Sequence, residues 1–178
     1  MYYYLAASLP MLLYETEKTM PADEFVGICA QHLSDRDYRL LCTASISDLK
    51  PKVPSNCTLD RWRRWETSLR NELVTLRAKN RKVEVDRYLL ESPVISTTQA
   101  IAREAFDQES PLQAEELLNR ARWATLDELE VGHYFDIERI LVYYLRLQVL
   151  QRKAMLLEEK GLQAFERIYA AMTETIYG

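Results

Sequence analysis

The stretch that decides the fold is residues 58–82, TLDRWRRWETSLRNELVTLRAKNRK. Its apolar positions are Leu59, Trp62, Trp65, Leu69, Leu73 and Leu76. Steps of three or four residues bring all six to one side of a helix, so the segment reads as an amphipathic helix of about 22 residues with Thr58 as its cap. The same period recurs across the chain. Pro21 suits a first helical position, and Phe25, Val26, Ile28, Cys29 and Leu33 follow as an apolar face. Ser34 caps a helix that carries Asp35 and Asp37 in its first turn and then Tyr38, Leu40, Leu41 and Ile46. Ser96 or Thr97 starts another, Ser110 and Pro111 open the next, and Gly132 can end that one in the left-handed conformation. Asp136 begins the most apolar segment: in Ile140–Leu150 only Arg146 and Gln148 are neither apolar nor Tyr, so this helix belongs at the centre. A last helix is expected to follow a corner at Gly161, with Leu162, Phe165, Ile168, Tyr169 and Met172 on its face. Segment 82–92 reads either as more helix or as a break.

The expected architecture is all-α, a helical bundle of about six to seven helices in one domain or two lobes. The boundaries read as an N-terminal helical part with an apolar arm (1–50), a Pro- and Ser-rich linker (51–57) and a main bundle (58–178). Composition agrees. The 178 residues hold 4 Gly and 6 Pro, where an average chain would hold roughly 12 and 9. The four glycines are too far apart for a dinucleotide fingerprint or a P-loop, which excludes phosphate-cradling enzymes of those types. Cys29, Cys42 and Cys57 form no C-x-x-C pair and are expected to be reduced core thiols. The uncharged opening, residues 1–14, is too short to span a bilayer, is interrupted by Pro10, and has no basic region in front of it, so neither a spanning helix nor a secretory signal is expected.

Chemistry has few candidates. Glu130 and His133 spell E-x-x-H, but a di-iron bundle needs that pair twice, and the chain has no second copy. His32 and His133 lie in no nucleophile signature, and adjacent carboxylates such as Glu115 and Glu116 point in different directions on a helix. No catalytic residue, cofactor or metal is expected. Charge is more telling. Net charge is −4, yet residues 60–82 hold eight basic side chains against three acids, and residues 104–138 hold ten acids against two arginines. These blocks either pair within the fold or dock partners of opposite charge. Candidate contact residues are Arg61, Arg64, Arg70, Arg77 and Arg81, together with the tyrosine arm Tyr2, Tyr3 and Tyr4. Trp62 and Trp65 among arginines would suit stacking on bases, although their place on the apolar stripe favours the core.

Two stretches resemble a known family: residues 1–10, MYYYLAASLP, and residues 111–152, from PLQAE through RWATLDEL to FDIERILVYYLRLQVLQR. They are similar to an uncharacterised bacterial family encoded within V-type (A-type) ATPase operons, where the C subunit would be expected. The second stretch is also similar in style to that C subunit, an all-helical funnel joining the central stalk to the membrane ring, which is longer than this chain. The resemblance implies a non-enzymatic, C-subunit-like coupling piece or accessory factor with central-stalk and membrane-ring subunits as partners. It would sit in the cytoplasm at the inner face of the cell membrane, held there through those partners. The alternative is a nucleic-acid-binding helical adaptor using the basic helix 61–82, and a third class is a small helical enzyme with a deep polar pocket.

Overall fold

The computed structural model describes residues 2–50, 56–85, 88–156 and 161. Seven helices and no strand occur among them: α1 (Tyr3–Ser8), α2 (Ala22–His32), α3 (Asp35–Thr43), α4 (Cys57–Arg81), α5 (Ser96–Phe106), α6 (Pro111–Glu130) and α7 (Ile137–Met155). The protein is an all-α bundle, as the periodicity requires. The proposed last helix beyond Gly161 and the prolines of the 51–57 linker lie outside the described residues.

Several caps fall where the sequence puts them. Ser34, Ser110 and Asp136 each accept a backbone N–H of the first turn, and Gly132 adopts φ +85° at the α6–α7 corner. Others move. Asn56, not Thr58, caps α4, its Oδ1 accepting from Thr58 and Leu59, because an Asn one residue before the helix reaches both orphan donors. Pro21 is the N-cap of α2 and Ala22 its first helical residue. Ile46 lies beyond the end of α3, although it is buried. Segment 82–92 breaks the helix: Lys82 takes φ 57°, and its N–H and that of Val83 close onto the last α4 carbonyls.

Helix α7 is the centre, as expected, with Ile140, Leu141, Val142, Leu145, Leu147 and Val149 fully buried. On one side it packs against α6, and on the other against α2 and α3, where Phe25 stacks on Tyr143 and Tyr144 at 5.1 and 5.8 Å. Helix α4 packs against α5 and α6. Ile95 and Gln99 meet Ser68 and Glu72 in step, so α5 runs alongside α4 in the same direction. Trp62 and Trp65 are buried, with rings 5.8 Å apart. Each fully buried large apolar side chain contributes about 1.5–3 kcal/mol.

Residues 43–47 are held between α4 and α7. Trp62 donates to the Ser45 carbonyl at 3.2 Å, Arg63 to that of Thr43 at 3.3 Å, and Arg70 to those of Ile46 and Ser47 at 2.6 and 3.0 Å. Gln148 of α7 accepts from the Ile46 N–H and donates to the Ala44 carbonyl. One hydrophobic cluster runs through residues on both sides of the proline-rich segment, from Leu5 and Phe25 to Leu69 and Leu147. Of the three cysteines only Cys29 belongs to this core. Cys42 and Cys57 are exposed, which corrects the expectation of three core thiols: Cys42 sits on the outer side of α3, and Cys57 is the first residue of α4.

Candidate interaction surfaces

The charged blocks meet inside the bundle. Glu66 of α4 is fully buried, and its carboxylate receives Nε and Nη2 of Arg122 from α6, both at 3.0 Å, and Nε of Arg70 at 2.9 Å. Arg122 also donates to Asn119 and to Glu115, and Glu115 accepts from Arg152 of α7 at 2.7 Å. A continuous ionic line, Arg70–Glu66–Arg122–Glu115–Arg152, thus joins three helices. Burial disfavours the Glu115 carboxylate, but the hydrogen bonds and charges of Arg152 and Arg122 outweigh it and hold its pKa below the ordinary value. Burial likewise opposes the Arg122 cation, and Glu66 more than restores it.

A second cluster ties α7 to the end of α6. The nearly buried Arg146 donates to Asp127 at 2.5 Å and to both oxygens of Glu130, and Arg139 pairs with Glu130 as well. Burial lowers the pKa of Arg146 despite these partners. This settles the E-x-x-H reading in part. Glu130 is the last residue of α6 and is committed to two arginines, whereas His133 lies beyond the helix and pairs with Asp136 at 2.6 Å. The two therefore do not share a helix face. His133, Asp136 and Glu138 bring potential ligand atoms within 4.8 Å of one another, but Asp136 already caps α7 and Glu138 accepts from Asn56. The positive end of the helix and the nearby Arg139 oppose a cation there.

The candidate contact residues separate into four environments. Arg70 is turned inward onto Glu66 and the carbonyls of Ile46 and Ser47, and so is occupied within the fold. Arg61 and Arg64 are exposed near the start of α4 and line shallow hollows, one with Asn56 and Asp60, the other with Pro93 and Glu128. Arg77 and Arg81 are exposed at its far end. Twenty residues of helix separate Arg61 from Arg81, about 30 Å, so the arginines do not form one patch. The tryptophans that would have supplied base stacking are in the core, which removes that part of the nucleic-acid reading.

The tyrosine arm is docked rather than free along its length. Tyr2 donates its N–H to the Phe135 carbonyl at 2.6 Å and its hydroxyl to Asp37 at 2.5 Å. Tyr3 packs on the Phe135 ring at 4.6 Å, and Tyr4 is 87% exposed. Together with Val131 and Tyr134 these side chains form an exposed aromatic end of the molecule, beside a hollow of about 520 Å³ lined by Ala6, His133 and Arg139 among others. Such apolar exposure on one end is characteristic of contact surfaces.

Sequence reasoning passed over Glu66, Arg122, Arg146 and Tyr14. A signal existed for two of them. Arg146 interrupts an otherwise apolar helix, and Glu66 follows Trp65 on the stripe side of α4. Tyr14 is buried against Trp123, donates to Glu116 at 2.9 Å, and has the Arg120 guanidinium and Lys153 ammonium over its ring; burial and Glu116 raise its pKa. Nothing in the local sequence around residue 14 announces this.

Fold and surface together define an all-helical bundle cross-linked by buried ion pairs, with contact faces at its two ends. The model of one protein family, described as a protein of unknown function (DUF2764), matches residues 101–176, which takes in α5, α6 and α7. No curated protein and no solved structure matches the chain.

Proposed function

We propose that the protein is a non-enzymatic helical subunit or accessory factor of a bacterial V-type (A-type) ATPase, a C-subunit-like coupling piece between the central stalk and the membrane ring. The observation that carries this reading is the meeting of the two stretches that bear the resemblance. Residues 1–10 and 111–152 are separated by a hundred residues, yet Tyr2 and Tyr3 dock on Phe135, and the aromatic end consists of side chains from the first stretch and from the α6–α7 corner. On this reading the aromatic end is the contact surface for a stalk or ring subunit. The protein acts mechanically, transmitting torque or assisting assembly through surface complementarity, and the buried ion pairs keep its helices in fixed register. It is placed at the cytoplasmic face of the membrane through these subunits.

The test is affinity purification of the intact ATPase at low salt from cells that express the tagged chain. The protein is expected to co-purify, and a Tyr4→Ser, Tyr134→Ser variant of wild-type stability is expected to be depleted. Repeated absence of the wild-type chain from intact complexes would overturn the proposal.

A further inference from the structure

Four cations, Arg77, Lys79, Arg81 and Lys82, are exposed at the end of α4, and none has an ion-pair partner among the described residues. Cations in a last helical turn interact favourably with the helix dipole. That accounts for their position but not for what accompanies them. Val83, Tyr88, Leu89 and Leu90 are 53, 59, 39 and 56% exposed. Asn71 fixes where they lie: its side chain donates to the Leu90 carbonyl at 2.6 Å and accepts the Leu90 N–H at 3.0 Å. Leu90 is thereby held beside α4 about 15 Å from Arg81 along the helix, and the Val83 N–H closes onto the Ala78 carbonyl. Four unpaired positive side chains and four exposed apolar ones thus share one end of the molecule, away from the start of α4 where Arg61 and Arg64 lie.

From this we infer that the α4 end and the connection after it form a docking surface for an anionic lipid bilayer. Lys and Arg near an anionic membrane surface are attracted to its headgroups, and neighbouring apolar side chains enter the headgroup–acyl boundary. The apolar group contains one aromatic ring beside three aliphatic side chains. Aliphatic chains dissolve into acyl chains but give no stacking platform for bases, so the composition favours lipid over single-stranded nucleic acid. The inference goes beyond the ATPase reading, which places the protein at the membrane only through partners, and it does not depend on that reading.

The test uses the full chain alone with vesicles of phosphatidylcholine, with and without about a third phosphatidylserine. Co-sedimentation at about 50 mM salt is expected with the anionic vesicles and not with the neutral ones, weakening as salt screens the charges. Replacing Arg77, Lys79 and Arg81 by Gln and Lys82 by Asn should weaken binding about fivefold per cation removed. Val83→Ser with Leu90→Ser should abolish the part of the binding that survives high salt. Arg61→Gln with Arg64→Gln, which removes two cations at the other end, should leave binding within about twofold, since those charges lie beyond the Debye length of the surface. Circular dichroism confirms that each variant is folded. No binding to anionic vesicles, an equal loss in the Arg61, Arg64 variant, or tighter binding to DNA than to vesicles would each overturn the inference. ATPase co-purification does not enter any of these outcomes, so the two proposals fail separately.

Discussion

Glu66→Gln is the substitution whose consequence the structure determines most closely. Both carboxylate oxygens are used, Oε1 by Arg70 and Arg122, Oε2 by Arg122, all at 2.9–3.0 Å with Glu66 fully buried. An amide of the same shape keeps one acceptor but turns an NH₂ group toward an arginine donor and removes the charge that compensates Arg122. Breaking a buried pair by removing one partner costs about 3–5 kcal/mol. Arg122 retains Glu115 and Asn119, which places the expected cost near the lower limit, about 3 kcal/mol. For a chain of this length that is a fall in melting temperature of about 6–12 °C. The double replacement Glu66→Leu with Arg122→Met removes both buried charges and fills their volume with apolar atoms, so it should be at least ~2 kcal/mol less destabilised than the sum of its single substitutions. Urea unfolding followed by circular dichroism measures all four corners of the cycle. A Glu66→Gln cost below ~1 kcal/mol, or additivity in the double replacement, would refute the claim that this ion pair holds α4 to α6.

Gly27 lies within α2 with open space where a Cβ would go, so Gly27→Ala should stabilise the protein by about 0.5–1 kcal/mol; Gly132→Ala, at φ +85°, should instead cost about 1–2 kcal/mol, and thermal melts of the pair should shift in opposite directions. The Tyr143 hydroxyl is buried with no hydrogen-bond partner among the described residues, so Tyr143→Phe should raise stability by about 1 kcal/mol in the same melts. Because the folded pKa of Glu115 lies below its unfolded value, its contribution is present above the unfolded pKa and is lost as pH falls through the folded one; acid titration of unfolding should therefore be shallower for Glu115→Gln. Cys42 and Cys57 should react with a thiol reagent in the native protein, whereas Cys29, whose thiol burial pushes up to about 12, should react only on unfolding.

What the sequence disclosed and what it hid divide along a physical line. Helices α4 and α7 were legible because an apolar stripe of period 3.6 is a one-dimensional signal, and the caps at Ser34, Ser110 and Asp136 were legible because capping is a local hydrogen bond. The Asn56 cap was missed because Thr58 is an equally good capping type two residues on, and only the backbone, extended at Asn56, chooses between them. The surplus of charge in 60–82 and its opposite in 104–138 was legible as a sum but not as a pairing. Arg63 and Arg70 turn inward and Arg61, Arg64, Arg77 and Arg81 outward, a choice made by which side of α4 meets α6 and the segment after α3. The tyrosine arm divides the same way, with Tyr2 occupied by Asp37 and Tyr4 free.

That division bears on what the bundle is suited to do. Apolar packing alone is non-directional, and helices held only by it can slide by a ridge at modest cost. A bidentate arginine–carboxylate pair is directional, and sliding α6 past α4 by one turn would strand Glu66 and Arg122 as buried charges without partners. The line from Arg70 to Arg152 applies this constraint to α4, α6 and α7 together, and the Arg146 cluster applies it again at the α6–α7 corner beside the aromatic end. A force applied at Tyr4 or Tyr134 is therefore resisted across the three helices instead of being absorbed in local slippage. The far end of α4, where the unpaired cations lie, is part of the same braced unit, so two contact surfaces are kept at a fixed separation by groups that neither surface exposes.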